Sequence, residues 1–165
     1  MLVLGLVLCR PASGQVQPSL EAQADSLAAV GDSLRQQRAF AEAQAAYERA
    51  AALYREAGEQ GAAATRIGDV GALYYLQGEA AAAQESFQRA ADLAREAGAR
   101  GEVASNVNNL GLIEWRRGNY TAALRHFEEA VAVHRTRKDT AQVAAGLNNI
   151  GNVLEEQGQF GEALK

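Results

Sequence analysis

The chain has 165 residues, a net charge of −4 and 48% apolar residues, with one cysteine and two prolines. That balance excludes the basic footprint of a nucleic-acid-binding surface, an intramolecular disulfide and a cysteine-built zinc site. No apolar run reaches the roughly 18 residues that a membrane-spanning helix needs.

The first stretch, residues 2–9 (LVLGLVLC), is an apolar run followed by Ala12 and Gly14, small residues at the −3 and −1 positions of a cleavage site. An export signal is therefore expected over residues 1–14, delivering the chain to the periplasm or outside the cell. No Lys or Arg precedes the run, and without a working signal the chain is cytoplasmic. Bulky Leu8 before Cys9 argues against a lipid anchor. Residues 15–23 read as a linker, and Pro18 is the last proline, so long helices are permitted beyond it.

From residue 24 onward the chain repeats itself. The segments VGDSLRQQRAFAEAQAAYERAAAL (30–53), VGALYYLQGEAAAAQESFQRAADL (70–93), LGLIEWRRGNYTAALRHFEEAVAV (110–133) and IGNVLEEQGQFGEALK (150–165) align without gaps at a period of 40. Gly31, Gly71, Gly111 and Gly151 share one column, and Ala43, Ala83, Ala123 and Ala163 another. Tyr47, Phe87 and Phe127 form a third, and Ala50, Ala90 and Ala130 a fourth.

Each unit reads as a helical hairpin. Apolar residues three and four apart (Ile67, Val70, Tyr74; Val107, Leu110; Leu147, Ile150, Leu154) predict its first helix. Gly78, Gly118 and Gly158 end that helix, because a left-handed residue there carries no Cβ penalty. Arg38 stands in their place in the first unit, which predicts a different turn. Ala, aromatic and Ala at offsets of four and three, as in Ala123, Phe127 and Ala130, predict the second helix. Further loops are expected near Gly58–Gly61, Gly98–Gly101 and Arg137–Thr140. The four units then cover about 24–60, 61–100, 101–140 and 141–165. The last stops at Lys165, early in its second helix, and is expected to continue in a longer protein; a frayed C-terminus is the alternative.

The glycine, alanine, aromatic and alanine columns resemble the tetratricopeptide repeat, at its eighth, twentieth, twenty-fourth and twenty-seventh positions. Arg135 stands where the proline of the usual 34-residue unit would be, and the 40-residue period resembles the variety in kinesin light chains, LGN-type adaptors and bacterial regulatory proteins. The resemblance implies an all-α fold, a right-handed α-solenoid of tandem antiparallel hairpins, since one hairpin alone cannot bury both faces.

At 100° per residue, Ser105, Asn109, Leu112 and Arg116 fall within about 60° of one another, opposite Val107, Leu110 and Gly111. Asn108 and Trp115 flank that stripe. The matching stripes are Thr65, Asp69, Ala72 and Leu76 with Tyr75, and Ala145, Asn149, Asn152 and Glu156 with Asn148. The resemblance implies that these stripes line a concave groove, with Asp69, Asn109 and Asn149 in a ladder down it. An amide both donates and accepts, so Asn109 and Asn149 suit the backbone of an extended peptide. The same chemistry suits a bond to the neighbouring hairpin that sets the stacking angle. Tyr75, Leu76 and Trp115 offer apolar contact, and Arg116 a partner for a carboxylate. Asp69 and Ala29 interrupt the ladder in the first two units.

No catalytic arrangement is written in this sequence. His126 and His134 lie eight apart with no acidic set arranged around a metal, and are expected at the surface. The Glu128–Glu129 and Glu155–Glu156 pairs read as solvated helix faces, and no phosphate-cradling loop is present. The expected function is a non-enzymatic, cofactor-free scaffold that binds a protein or peptide segment in its groove. The resemblance implies an alternative, the sensory or scaffolding front of a longer bacterial protein carrying a caspase-like protease, sensor kinase or regulator. Self-association through the open C-terminal end of the array is a third expectation.

Overall fold

The computed structural model describes residues 18–158; the expected signal and the second helix of the fourth unit lie outside the described residues. Seven helices follow one another: α1 (Leu20–Gln36), α2 (Phe40–Glu56), α3 (Gln60–Gln77), α4 (Ala80–Glu96), α5 (Arg100–Arg116), α6 (Tyr120–Thr136) and α7 (Thr140–Glu156). There is no strand among the described residues. Each helix packs on the next in sequence, and α3 also touches α5, so the hairpins stack in file as an α-solenoid. α1 begins at Leu20, inside the stretch read as a linker, because Ser19 Oγ accepts the Ala22 amide hydrogen at 3.1 Å and caps it.

The turns are more regular than the sequence suggests. Residues 38, 58, 78, 98, 118 and 138 all have positive φ, one at every helix junction. The following residue closes a six-residue ring back to the ending helix, as in Glu59 N to Tyr54 O at 2.8 Å and Asp139 N to His134 O at 3.0 Å. This is the Schellman arrangement, which satisfies carbonyls that the helix end leaves free. Arg38 does not change the turn, contrary to expectation: it adopts φ 61°, and Lys138 adopts φ 59°. The closing hydrogen bonds hold non-glycine residues in the left-handed region. Gly61 and Gly101, expected in loops, sit inside α3 and α5.

Packing explains the repeated columns. The aromatic of each second helix lies flat against the glycine of its own first helix. A Cβ added at Gly31, Gly71 or Gly111 would stand 2.6 Å, 2.8 Å or 2.7 Å from the Tyr47, Phe87 or Phe127 ring. The other side of each ring meets the next hairpin: Tyr47 clusters with Val70 and Leu73, Phe87 with Leu110 and Ile113, and Phe127 with Val153. One residue thus closes a hairpin and joins it to its neighbour, and full burial of each such side chain is worth about 1.5–3 kcal/mol.

The column Leu73, Ile113 and Val153 is almost wholly buried, although the expected apolar stripe omitted it. Leu147, which that stripe included, is instead 44% exposed. Val153 sits under the Phe127 ring, whereas Leu147 lies one and a half turns earlier on α7, outside that cluster. His134 corrects a second expectation. It is buried, because the last turn of α6 is covered where the chain folds back into α7.

Candidate functional site

The predicted stripes lie on α3, α5 and α7, the first helices of successive hairpins. The structure divides their residues into four local arrangements. Asp69, Ser105 and Asn109 line one pocket of about 300 Å³, with Thr65 and Ala72 beside them on α3. Tyr75 and Arg116 form a stacked pair, the guanidinium carbon 4.8 Å from the ring centroid. Asn108 and Asn149 bond each other, Asn149 Nδ2 donating to Asn108 Oδ1 at 3.1 Å. Trp115 donates its indole N–H to Glu156 Oε2 at 2.8 Å and packs, like Leu112 and Ile150, on the cluster of Ala123, Phe127 and Val153. Leu76 stands 58% exposed at the end of α3. Asn148 is exposed and Asn152 half-buried on α7.

The asparagines therefore stand in different situations. The amide of Asn149 links α7 to α5. Asn109 is half-buried and makes none of the side-chain hydrogen bonds found among the described residues. Its neighbour across the pocket, Asp69, carries an Oδ2 that is buried without a hydrogen bond. Arg66 Nη1 lies 3.1 Å from that oxygen, close enough for an ion pair but not aligned to donate. Burial, outweighing Arg66, raises the Asp69 carboxyl above its ordinary value. Arg66 is also held over the Tyr47 ring at 5.8 Å, and Tyr47 donates its hydroxyl to Asp32 Oδ1 at 2.7 Å. Burial and that carboxylate push the Tyr47 hydroxyl far up.

More than half of the pocket wall was not legible as a helix stripe. Asn106 is buried in it, donating to the Glu102 carbonyl at 2.8 Å, and its Oδ1 occupies the space a Cβ at Gly68 would need. His134, Asp139 and Gln142 complete the wall from the end of α6 and the start of α7. Asp139 Oδ1 caps α7 by accepting from Gln142 N at 3.2 Å, while its Oδ2 faces His134 Nδ1 at 3.9 Å. The missed signal was Gly68, a helix glycine facing the next hairpin. Elsewhere, His126 is half-buried on α6, and burial, with Arg125, lowers its pKa. No group of three His, Cys, Asp or Glu residues suited to a metal occurs among the described residues, and no described helix is long and apolar enough to cross a membrane.

Solved structures share this architecture. BtubC (BKLC) from P. vanneervenii superposes with a TM-score of 0.75 at 19% identity, over 92% of this chain and 63% of that one. The apo form of RapI gives 0.80 at 18% identity, over 90% and 41%. Aspartyl phosphate phosphatase F from Bacillus subtilis gives 0.82 at 16%, over 90% and 39%. At these identities the likeness shows the fold alone, and this chain spans less than two thirds of each of those proteins. No curated protein sequence matches it. Residues 102–165 match the tetratricopeptide repeat family model. Residues 102–165 are thus similar in sequence to the tetratricopeptide repeat, and the described residues share the helical-hairpin architecture of these solved structures.

Proposed function

We propose that the array is a non-catalytic interaction module that holds an extended peptide segment along the faces of α3, α5 and α7. The observation that carries this reading is Asn109: a half-buried amide in the lining of the Asp69 pocket that makes no side-chain hydrogen bond among the described residues. An extended backbone presents the donor and acceptor that such an amide can meet together. Exposed Leu76 adds apolar surface alongside. The sensory front of a longer bacterial protein is compatible with this reading, since the chain spans only part of the structures it resembles.

The test is selection of a random peptide library displayed on phage against the full chain, repeated with Asn109→Ala and Asn149→Ala. Retained peptides should be lost in Asn109→Ala while its Tm stays unchanged. Asn149→Ala should lower Tm and still retain them. A library with no retained peptide, or one that binds Asn109→Ala equally well, overturns the proposal.

A further inference from the structure

The pocket between α3, α5 and the α6–α7 turn has a chemistry of its own. Three carboxylate residues line it, Asp69, Glu102 and Asp139, each from a different part of the chain. Arg137, the one Arg or Lys among the described lining residues, lies over Gly101, where a Cβ would come within 2.9 Å of its guanidinium carbon. Two polar atoms on the wall are buried without hydrogen bonds. One is Asp69 Oδ2, and the other is Nδ1 of His134, a residue only 4% exposed. Asp69 Oδ2 has the Arg66 guanidinium beside it at 3.1 Å, not aligned to donate, and leaving buried polar atoms unsatisfied is costly, so a native site of this kind calls for a further hydrogen-bonding partner.

The spacing indicates which donor. His134 Nδ1 and Asp139 Oδ2 stand 3.9 Å apart, too far for a direct hydrogen bond. A single nitrogen placed between them lies within reach of both. With its proton on Nε2, the imidazole accepts at Nδ1. A cation entering here also relieves the desolvated Asp69 carboxylate, whose pKa burial has raised.

From these observations we infer that the pocket receives the basic side chain, arginine or lysine, of the segment bound along the face; this rests on the peptide-binding reading above. Asp69, Glu102 and Asp139 supply the opposing charge, and His134 and Asn109 further hydrogen-bonding positions. An acidic side chain is rejected, because it would bring a fourth carboxylate into the same space.

The probes are Nα-acetyl-arginine methylamide and its lysine counterpart, titrated into the isotope-labelled full chain and followed by NMR. The neutral isostere Nα-acetyl-citrulline methylamide and inorganic phosphate are run alongside. Saturable shifts are expected at the Asn109 side-chain amide and the His134 ring with the two cationic probes and not with citrulline. Asp69→Asn should weaken them by at least about fivefold, as loss of a charge-assisted contact does. Glu102→Gln, at a half-buried position, is the second variant should Asp69→Asn fold poorly. Equal shifts with citrulline, no saturable shift with either cation, or shifts with phosphate alone overturn the assignment. Because these probes carry no extended backbone, their result is independent of the phage selection. Library peptides that bind without basic residues sink the pocket assignment and leave the groove standing; an empty library with a binding arginine probe does the reverse.

Discussion

Asn149 of α7 donates its side-chain amide hydrogen to Oδ1 of Asn108 on α5, 3.1 Å away across two hairpins. The asparagine that resembles a ligand-binding column in sequence is here a joint between first helices. Its neighbour in the same column, Asn109, has no such partner among the described residues. Repetition of a residue type at a 40-residue spacing therefore does not carry repetition of its hydrogen-bond partner.

Asn149→Ala should cost about 1 kcal/mol, the usual net worth of a partly buried hydrogen bond. Combined with Asn108→Ala, the two losses should be less than additive, because either change breaks the same bond. Urea unfolding of the four proteins in the cycle measures this. Full additivity would show that the two amides act independently.

Gly111→Ala tests the contact that closes each hairpin. Alanine gains about 1 kcal/mol in helix propensity over glycine. Its Cβ would lie 2.7 Å from Phe127 Cε1, and overpacking of that kind costs about 1–3 kcal/mol. A net loss is expected, visible as a lower Tm, and Phe127→Leu in the same chain should recover part of it. A Gly111→Ala protein more stable than wild type would mean that the ring moves aside at no cost.

Lys138→Gly should raise stability. Lys138 sits at φ 59°, a conformation that costs an L-residue roughly 1–2 kcal/mol. Glycine's greater freedom in the unfolded chain returns about 0.5–1 kcal/mol of that. Arg38→Gly should gain less, because the Arg38 guanidinium lies 5.9 Å from the Phe40 ring centroid and would be lost with the substitution. Thermal unfolding of both variants orders them.

Asp69 makes stability depend on pH with a definite sign. Its folded pKa is raised above the ordinary 3.8, first by burial. Below about 3.8 the folded and unfolded states both hold the proton and the group has no effect. As pH rises through the window above that value, the unfolded chain releases its proton first and the folded state loses stability. Asp69→Asn removes this titration, so its advantage over wild type should be larger at pH 7 than at pH 3. Urea midpoints at the two pH values check it. A difference that shrinks toward pH 7 would mean that the Arg66 ion pair outweighs burial.

The sequence by itself determined the fold and its grammar. Glycine, alanine and aromatic columns at one period specify a close helix pair with a ring between hairpins, because only small residues let backbones approach over a ring. With one cysteine, composition left no intramolecular disulfide. It also placed Asp69, Ser105 and Asn109 on common helix faces, since a 3.6-residue period fixes direction along one helix. What it did not hold was how successive hairpins meet. The Asn108–Asn149 bond and the pocket shared by Asp69, Glu102 and Asp139 arise between residues about 30 to 70 apart in the chain, and the burial of His134 from the fold-back of α7. Their geometry depends on the stacking of whole helices, and that stacking is set by many side chains together. The turn at Arg38 belongs to the same class: residue identity favours glycine, and the hydrogen bonds closing the turn decide against that preference.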